Sequence, residues 1–175
     1  MIAAERGTSP AKTLLDLIAM AETRRQETGN AGESVIGTSM TEPDLERLMA
    51  WPHMNFCTDG GLDGSHPRGY GSETRVLGRY VRERRALTLE EAIRKMTGLA
   101  AAHMGFNDRG LVREGMAADL VLFDPAEVID RATTTAPHAV SAGVLKVWVT
   151  GQLVYDGGRV TGRRPGTVLR RGATG

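Results

Sequence analysis

Cysteine is almost missing from this chain: Cys57 stands alone among 175 residues. That excludes an internal disulfide framework and fits a reducing compartment. Excess charge is missing too, since 22 basic residues face 21 acidic ones, so no broad field favours nucleic acid or an anionic membrane as partner. No run approaches the roughly 20 apolar residues of a membrane helix, and Ile2 to Arg6 do not follow the basic-then-apolar order of a signal sequence. The expectation is a cytoplasmic protein with a small neutral or anionic substrate. Histidine is sparse and scattered. His53, His66, His103 and His138 contain no His-x-His or His-x-x-x-His pair, so the sequence predicts no self-contained zinc site. The glycines at Gly60-Gly61 and Gly157-Gly158 lack the spacing of a phosphate-binding loop, which excludes a nucleotide site by motif. There is no internal repeat.

Glycine is plentiful, at 22 residues, and gathers after Gly105, where helical periodicity gives way to short alternating runs. Ser9-Pro10 opens a helix expected to run to about Arg25, with Leu14, Ile18 and Ala21 on one face. A loop follows over 26–33, then a short strand over Ser34 to Thr38. Thr41 and Asp44 form an approximate capping box for a second helix, with Met40 and Leu45 as a hydrophobic staple and Trp51-Pro52 as its end. A second strand is expected over His53 to Thr58, leading into Asp59-Gly60-Gly61. After a long polar loop, Thr88 and Glu91 cap a helix whose Leu89, Ala92, Ile93, Met96 and Ala100 face inward. This alternation of helix and strand is the pattern of a parallel βα fold. The tail should instead be a small antiparallel sheet built from Asp119 to Asp124, Leu145 to Val149 and Gln152 to Tyr155, with Thr150-Gly151 and Asp156-Gly157-Gly158 as turns.

Asp59 follows a candidate parallel strand, and strand ends are where βα folds collect catalytic groups. A carboxylate there can bind a metal or move a proton, although Asp-Gly-Gly by itself also reads as a turn. His66-Pro67-Arg68 supplies an imidazole and a guanidinium suited to gripping a carboxylate; as a bare tripeptide it equally reads as a solvated loop. Cys57, two residues before Asp59, shares its face on a strand. Activated by His66 it would be a nucleophile; as a lone strand cysteine it would be a small buried apolar group.

Taken together, Thr58-Asp59-Gly60, His66-Pro67-Arg68-Gly69-Tyr70-Gly71, the run from Arg75 to Glu83, the run from Leu89 to Thr97, Asp108-Arg109-Gly110, Ala118-Asp119-Leu120-Val121 and Thr161 to Gly166 resemble the N-acyl-D-amino-acid deacylase (D-aminoacylase) branch of the metal-dependent amidohydrolase superfamily. The Ala-Asp-Leu-Val element is similar to amidohydrolases at large, and the block from His66 to Glu83 is similar to the deacylase branch. The resemblance implies an α/β fold: the C-terminal part of a TIM-barrel amidohydrolase, its last βα units in residues 1–105, followed by strands of a composite β-sandwich in 106–175. It implies zinc-activated water hydrolysing an N-acyl-D-amino acid to a carboxylate and a D-amino acid, with Asp59 as metal contact and proton carrier. His66 and Arg68 are assigned here to the substrate carboxylate. A complete eight-stranded barrel takes about 250 residues, so either the fold is a smaller α/β arrangement or the sequence begins inside a longer protein; the resemblance implies that the other metal ligands lie upstream of Met1, and the chain by itself is expected to be inactive. Three alternatives stay open: a non-catalytic subunit whose partner supplies the missing strands, a dihydroorotase- or hydantoinase-like cyclic-amide hydrolase, and a Cys57–His66 hydrolase.

Overall fold

A computed structural model describes residues 2–29, 40–61 and 66–171. It is a mixed α/β chain whose residues gather into two compact units, 1–39 and 40–175.

In the first unit, a short helix α1 (Ile2–Glu5) precedes α2 (Pro10–Thr28). Ser9 caps α2 as expected, its side chain accepting from the Lys12 N–H at 3.2 Å. The helix runs past the expected end at Arg25 and removes the first part of the expected loop. Glu22 pairs with Arg25 one turn on and with Gln26, the Thr28 hydroxyl donates to the Arg24 carbonyl, and Gly29 closes the helix in the left-handed region at φ 71°. Ala21 is buried, but Leu14 and Ile18 are more than half exposed. The strand expected over Ser34 to Thr38 lies outside the described residues.

The second unit opens with α3 (Glu42–Ala50). Asp44 accepts from both the backbone N–H and the hydroxyl of Thr41, and the helix stops at Trp51 as expected. Met49 is the buried residue of this helix, whereas Leu48 and Met40 are nearly half exposed.

The segment from His53 to Thr58 is not a strand: among the described residues no other chain segment pairs with it. It keeps a two-residue rhythm, with Met54, Phe56 and Thr58 turned inward and Asn55, Cys57 and Asp59 exposed. The expected parallel βα pairing is therefore not seen among the described residues, because an extended segment without a neighbour has no ladder to join.

The expected polar loop after Asp59 is largely helical. Helix α4 (Arg68–Arg75) continues directly into a π-helix over Val76–Glu83. Gly69, Gly71 and Gly78 hide this helix from a propensity reading, yet two of them are what lets it dock. A Cβ on Gly71 would stand 2.8 Å from the Asp130 Cβ, and one on Gly78 would stand 2.3 Å from the Ile129 Cδ1 and 2.6 Å from the Val128 carbonyl oxygen. Arg75 reaches Asp130 at 3.0 Å and Arg82 donates to the Val128 carbonyl at 2.6 Å. The helix is thus stapled along its length to the 128–130 segment.

Thr88 caps α5 (Leu89–Met96), accepting from the Glu91 N–H at 3.2 Å. The chain then breaks at Thr97 and resumes as α6 (Gly98–Met104) rather than continuing as one helix to Ala100. Val76, Leu77, Ala92 and Val128 form the core, with Phe56, Ile93 and other apolar side chains packed around them.

The tail is antiparallel throughout, as its pattern predicts. Strands β1 (Leu120–Phe123), β2 (Val144–Val149), β3 (Gln152–Asp156) and β4 (Arg159–Val160) lie side by side in chain order. The two-residue turns Thr150-Gly151 and Gly157-Gly158 have positive φ at all four positions, the geometry that matches the twist of the flanking strands. Asp119 accepts from the Thr150 N–H at 2.8 Å and pairs with Arg109, fastening the loop before β1 to the β2–β3 turn.

Candidate active site

Of the residues singled out from sequence, Asp59 and Arg68 meet, and His66 lies beside Arg68 at the start of α4. The exposed segment that ends at Asp59 is laid against the first turn of α4 by two glycines: a Cβ on Gly60 would fall 2.4 Å from the Gly69 Cα, and one on Gly69 would fall 2.9 Å from the Gly61 carbonyl oxygen. This close approach lets Arg68 Nη1 reach Asp59 Oδ2 at 3.1 Å. His66 is drawn in by backbone geometry, its Nδ1 accepting from the Arg68 N–H at 3.1 Å. With Nδ1 an acceptor, a neutral ring carries its proton on Nε2.

Asp59 lies in the left-handed region at φ 47°, which aspartate tolerates better than most residues. Its side chain is 79% exposed and that of Arg68 45%, so the pair is accessible from solvent. The guanidinium stands at ion-pair distance from Asp59, and a guanidinium has five N–H groups, more than one carboxylate engages. Sequence reasoning found the charged members of this site and missed the two glycines that assemble it. Their signal was present, since Gly60 and Gly69 directly follow the two charged residues.

The other candidates are elsewhere. Cys57 is exposed rather than buried, on the same side of the extended segment as Asp59. His103 Nδ1 meets the Asn55 Oδ1 at 3.0 Å, His138 packs against Tyr70 with ring centroids 4.9 Å apart, and His53 packs edge-on against Trp51. Among the described residues no group of three or more His, Cys, Asp or Glu side chains could hold a metal ion. Structural and catalytic zinc sites need at least three protein ligands. The described residues alone therefore do not fit a zinc ion: Asp59 offers one carboxylate, already facing an arginine.

One carboxylate is set apart by its surroundings. Glu73, on α4, is pushed above the usual carboxylate range by burial, and its Oε2 has no hydrogen-bond partner among the described residues.

Comparison with known proteins places these features. The sequence pattern of the amidohydrolase family matches residues 53–155. An N-acyl-D-aspartate deacylase of Alcaligenes xylosoxydans xylosoxydans is 51% identical over 135 residues, which are 76% of this chain and 27% of the relative. A crystal structure of D-aminoacylase superposes with a TM-score of 0.70 at 38% identity, covering 82% of this chain and 32% of that one. An N-acyl-D-glutamate deacylase from Bordetella bronchiseptica, complexed with zinc and a phosphonate mimic of the tetrahedral intermediate, superposes with a TM-score of 0.64 at 42% identity over 69% of this chain and 27% of its own. The chain thus spans roughly three tenths of the length of the relatives it matches. With the family pattern covering more than half of its residues and running through the extended segment, the glycine-docked helices and the sheet, this chain belongs to the amidohydrolase family.

Proposed function

We propose that the protein carrying this chain hydrolyses the amide bond of N-acyl-D-amino acids. The observation that carries this reading is the 51% identity to an N-acyl-D-aspartate deacylase over 135 residues; the Asp59–Arg68 pair, on a segment that the amidohydrolase pattern includes, supplies its chemistry. Asp59 accepts a proton as water adds to the acyl carbon and returns it to the leaving nitrogen as the C–N bond breaks. Water and amide become a carboxylate and a free D-amino acid, and Asp59 ends as it began. Arg68 offers N–H groups to the substrate's α-carboxylate, and His66 offers its Nε2–H to the same group.

In this reading residues 1–105 are the C-terminal part of a metal-dependent βα barrel, 106–175 contribute strands to a composite β-sandwich, and the compartment is the cytoplasm. The lack of a pairing partner for 53–58 among the described residues and the wide exposure of Val121, Leu122 and Val160 on the sheet support this architecture, since both are surfaces made to be covered. Zinc belongs to the reading as the cofactor of the whole protein, with Asp59 as one ligand and the remainder drawn from outside the described residues.

The test is a panel of N-acyl-D-amino acids and cyclic amides assayed with the longest protein that contains this sequence, alongside residues 1–175 alone. We expect hydrolysis of acylated D-amino acids by the long protein, none by the 175 residues, and a loss of about 10²–10⁴-fold in kcat for Asp59→Asn. Turnover of cyclic amides only, or an Asp59→Asn variant as active as its parent, would sink the assignment.

A further inference from the structure

Lysine is almost never fully buried without partners, because removing an ammonium from water is costly. Lys95, on α5, is completely buried. Its Nζ donates to the carbonyl of Met49 and to that of Trp51 at 2.6 Å, and Glu91 Oε1 stands 3.7 Å away. Two carbonyls and a carboxylate thus surround the lysine head, the carbonyls as hydrogen-bond acceptors and the carboxylate at ion-pair distance. The two carbonyls lie at the C-terminal end of α3, groups that an α-helix cannot satisfy from within. Beside it, Arg94 donates to the Pro52 carbonyl at 2.8 Å and is held by Glu91 through two hydrogen bonds of 2.7 and 2.8 Å. Glu91 itself is fixed at the start of α5 by Thr88. One carboxylate thus aims two cations at the turn over 49–52.

That turn feeds the extended segment leading to Asp59. Between the turn and the Asp59–Arg68 pair, the long-range side-chain contacts seen among the described residues are His103 on Asn55 and Phe56 against the core. No strand among the described residues gives it a ladder. Where alternation decides which side chains face outward, a slip of one residue would turn Asp59 inward.

We infer that Lys95, seconded by Arg94, is a positioning residue for the amidohydrolase site: it clamps the end of α3 and so sets the register in which Asp59 reaches Arg68. This rests on the assignment of Asp59 above, and the test separates the two.

Hydrogen exchange read by mass spectrometry, on the longest protein that contains this sequence, compares Lys95→Met with its parent. Amides over 53–59 should exchange about tenfold faster while those of β2 and β3 are unchanged, and kcat should fall by about 10- to 100-fold with KM little altered. Lys95→Arg, which keeps donors for both carbonyls, should recover part of the loss. Equal acceleration in the sheet and in 53–59, or none in either, overturns the clamp. So does local acceleration with undiminished kcat in a protein that Asp59→Asn inactivates. If Lys95→Met fails to fold, Arg94→Ala asks the same question from the solvent side, and unchanged exchange over 53–59 there counts against the inference. An Asp59→Asn variant that keeps full turnover removes the catalytic assignment, while the exchange data still decide whether Lys95 holds the segment.

Discussion

The sheet over residues 120–160 and the helical stretch over 66–104 are held together by opposite means. In the sheet, the instructions are local: two-residue turns at Thr150-Gly151 and Gly157-Gly158 adopt left-handed backbone conformations and bring neighbouring strands into register. In the helical stretch the decisive contacts reach far along the chain. Gly71 and Gly78 press on Asp130, Val128 and Ile129, and Lys95 reaches back to Met49 and Trp51. Short-range order tolerates surface change; long-range docking concentrates its sensitivity in a few positions.

The sharpest way to break this contrast is Gly78→Ala. In an ordinary exposed helix the change would gain up to about 1 kcal/mol of helix propensity. Here the added methyl would overlap the Val128 carbonyl oxygen, a backbone atom that cannot swing aside, as well as the end of Ile129. Overpacking of this kind costs about 1–3 kcal/mol, so the net change is destabilising. Urea unfolding should show a lower midpoint with an unchanged slope. A midpoint that rises would mean that the π-helix is not docked as described.

The same contrast explains what could be read from the sequence and what could not. The sheet, its turns and the caps at Ser9, Thr41 and Thr88 were legible because each is settled within a few residues. The helices over 68–83 were not, since three glycines among the first eleven residues argue against a helix unless the surface they dock on is known. The burial of Lys95 was hidden for a related reason: a lysine on an inward helical face looks like an error until the carbonyls of Met49 and Trp51 are placed beside it. At the site, Asp59, His66 and Arg68 were legible as motif residues. Their meeting depended on Gly60 and Gly69, whose place directly after the two charged residues is visible in the sequence but whose mutual approach is not. The expected strand over 53–58 shows the remaining kind of miss, in which alternation was right and pairing was not, because a ladder needs a second segment.

Glu73 offers a smaller perturbation on the helical side. Burial raises its carboxyl above the usual range, so the folded chain holds that proton to a higher pH than the unfolded chain does. Its contribution to stability is therefore present below the unfolded value and is lost as pH rises through the folded one. Glu73→Gln, neutral at every pH, escapes this loss. Its melting temperature should exceed that of the parent at pH 7, by about 2–4 °C for each kcal/mol recovered in a chain of this size, with the advantage vanishing near pH 4. A constant difference across that range would show that the carboxyl is not desolvated in the fold.

On the sheet, the corresponding test should produce almost nothing. Lys146 and Asp156 stand directly opposite one another on β2 and β3 with their charges 3.0 Å apart, and both side chains are more than a third exposed. Water and mobile ions screen such a pair, and ordering two flexible side chains offsets part of the attraction, so exposed pairs contribute about 0.2–1 kcal/mol. Lys146→Ala should lower stability by less than about 0.5 kcal/mol in 0.1 M salt and by still less in 1 M salt, where the Debye length falls to about 3 Å. The turns, not the ion pair, set the register of β2 and β3, so unfolding should stay cooperative and the exchange pattern of both strands should be retained. A large loss at low salt, with exchange spreading along β3, would mean that the strands depend on this side-chain contact for their alignment and that the sheet is no more locally specified than the helices.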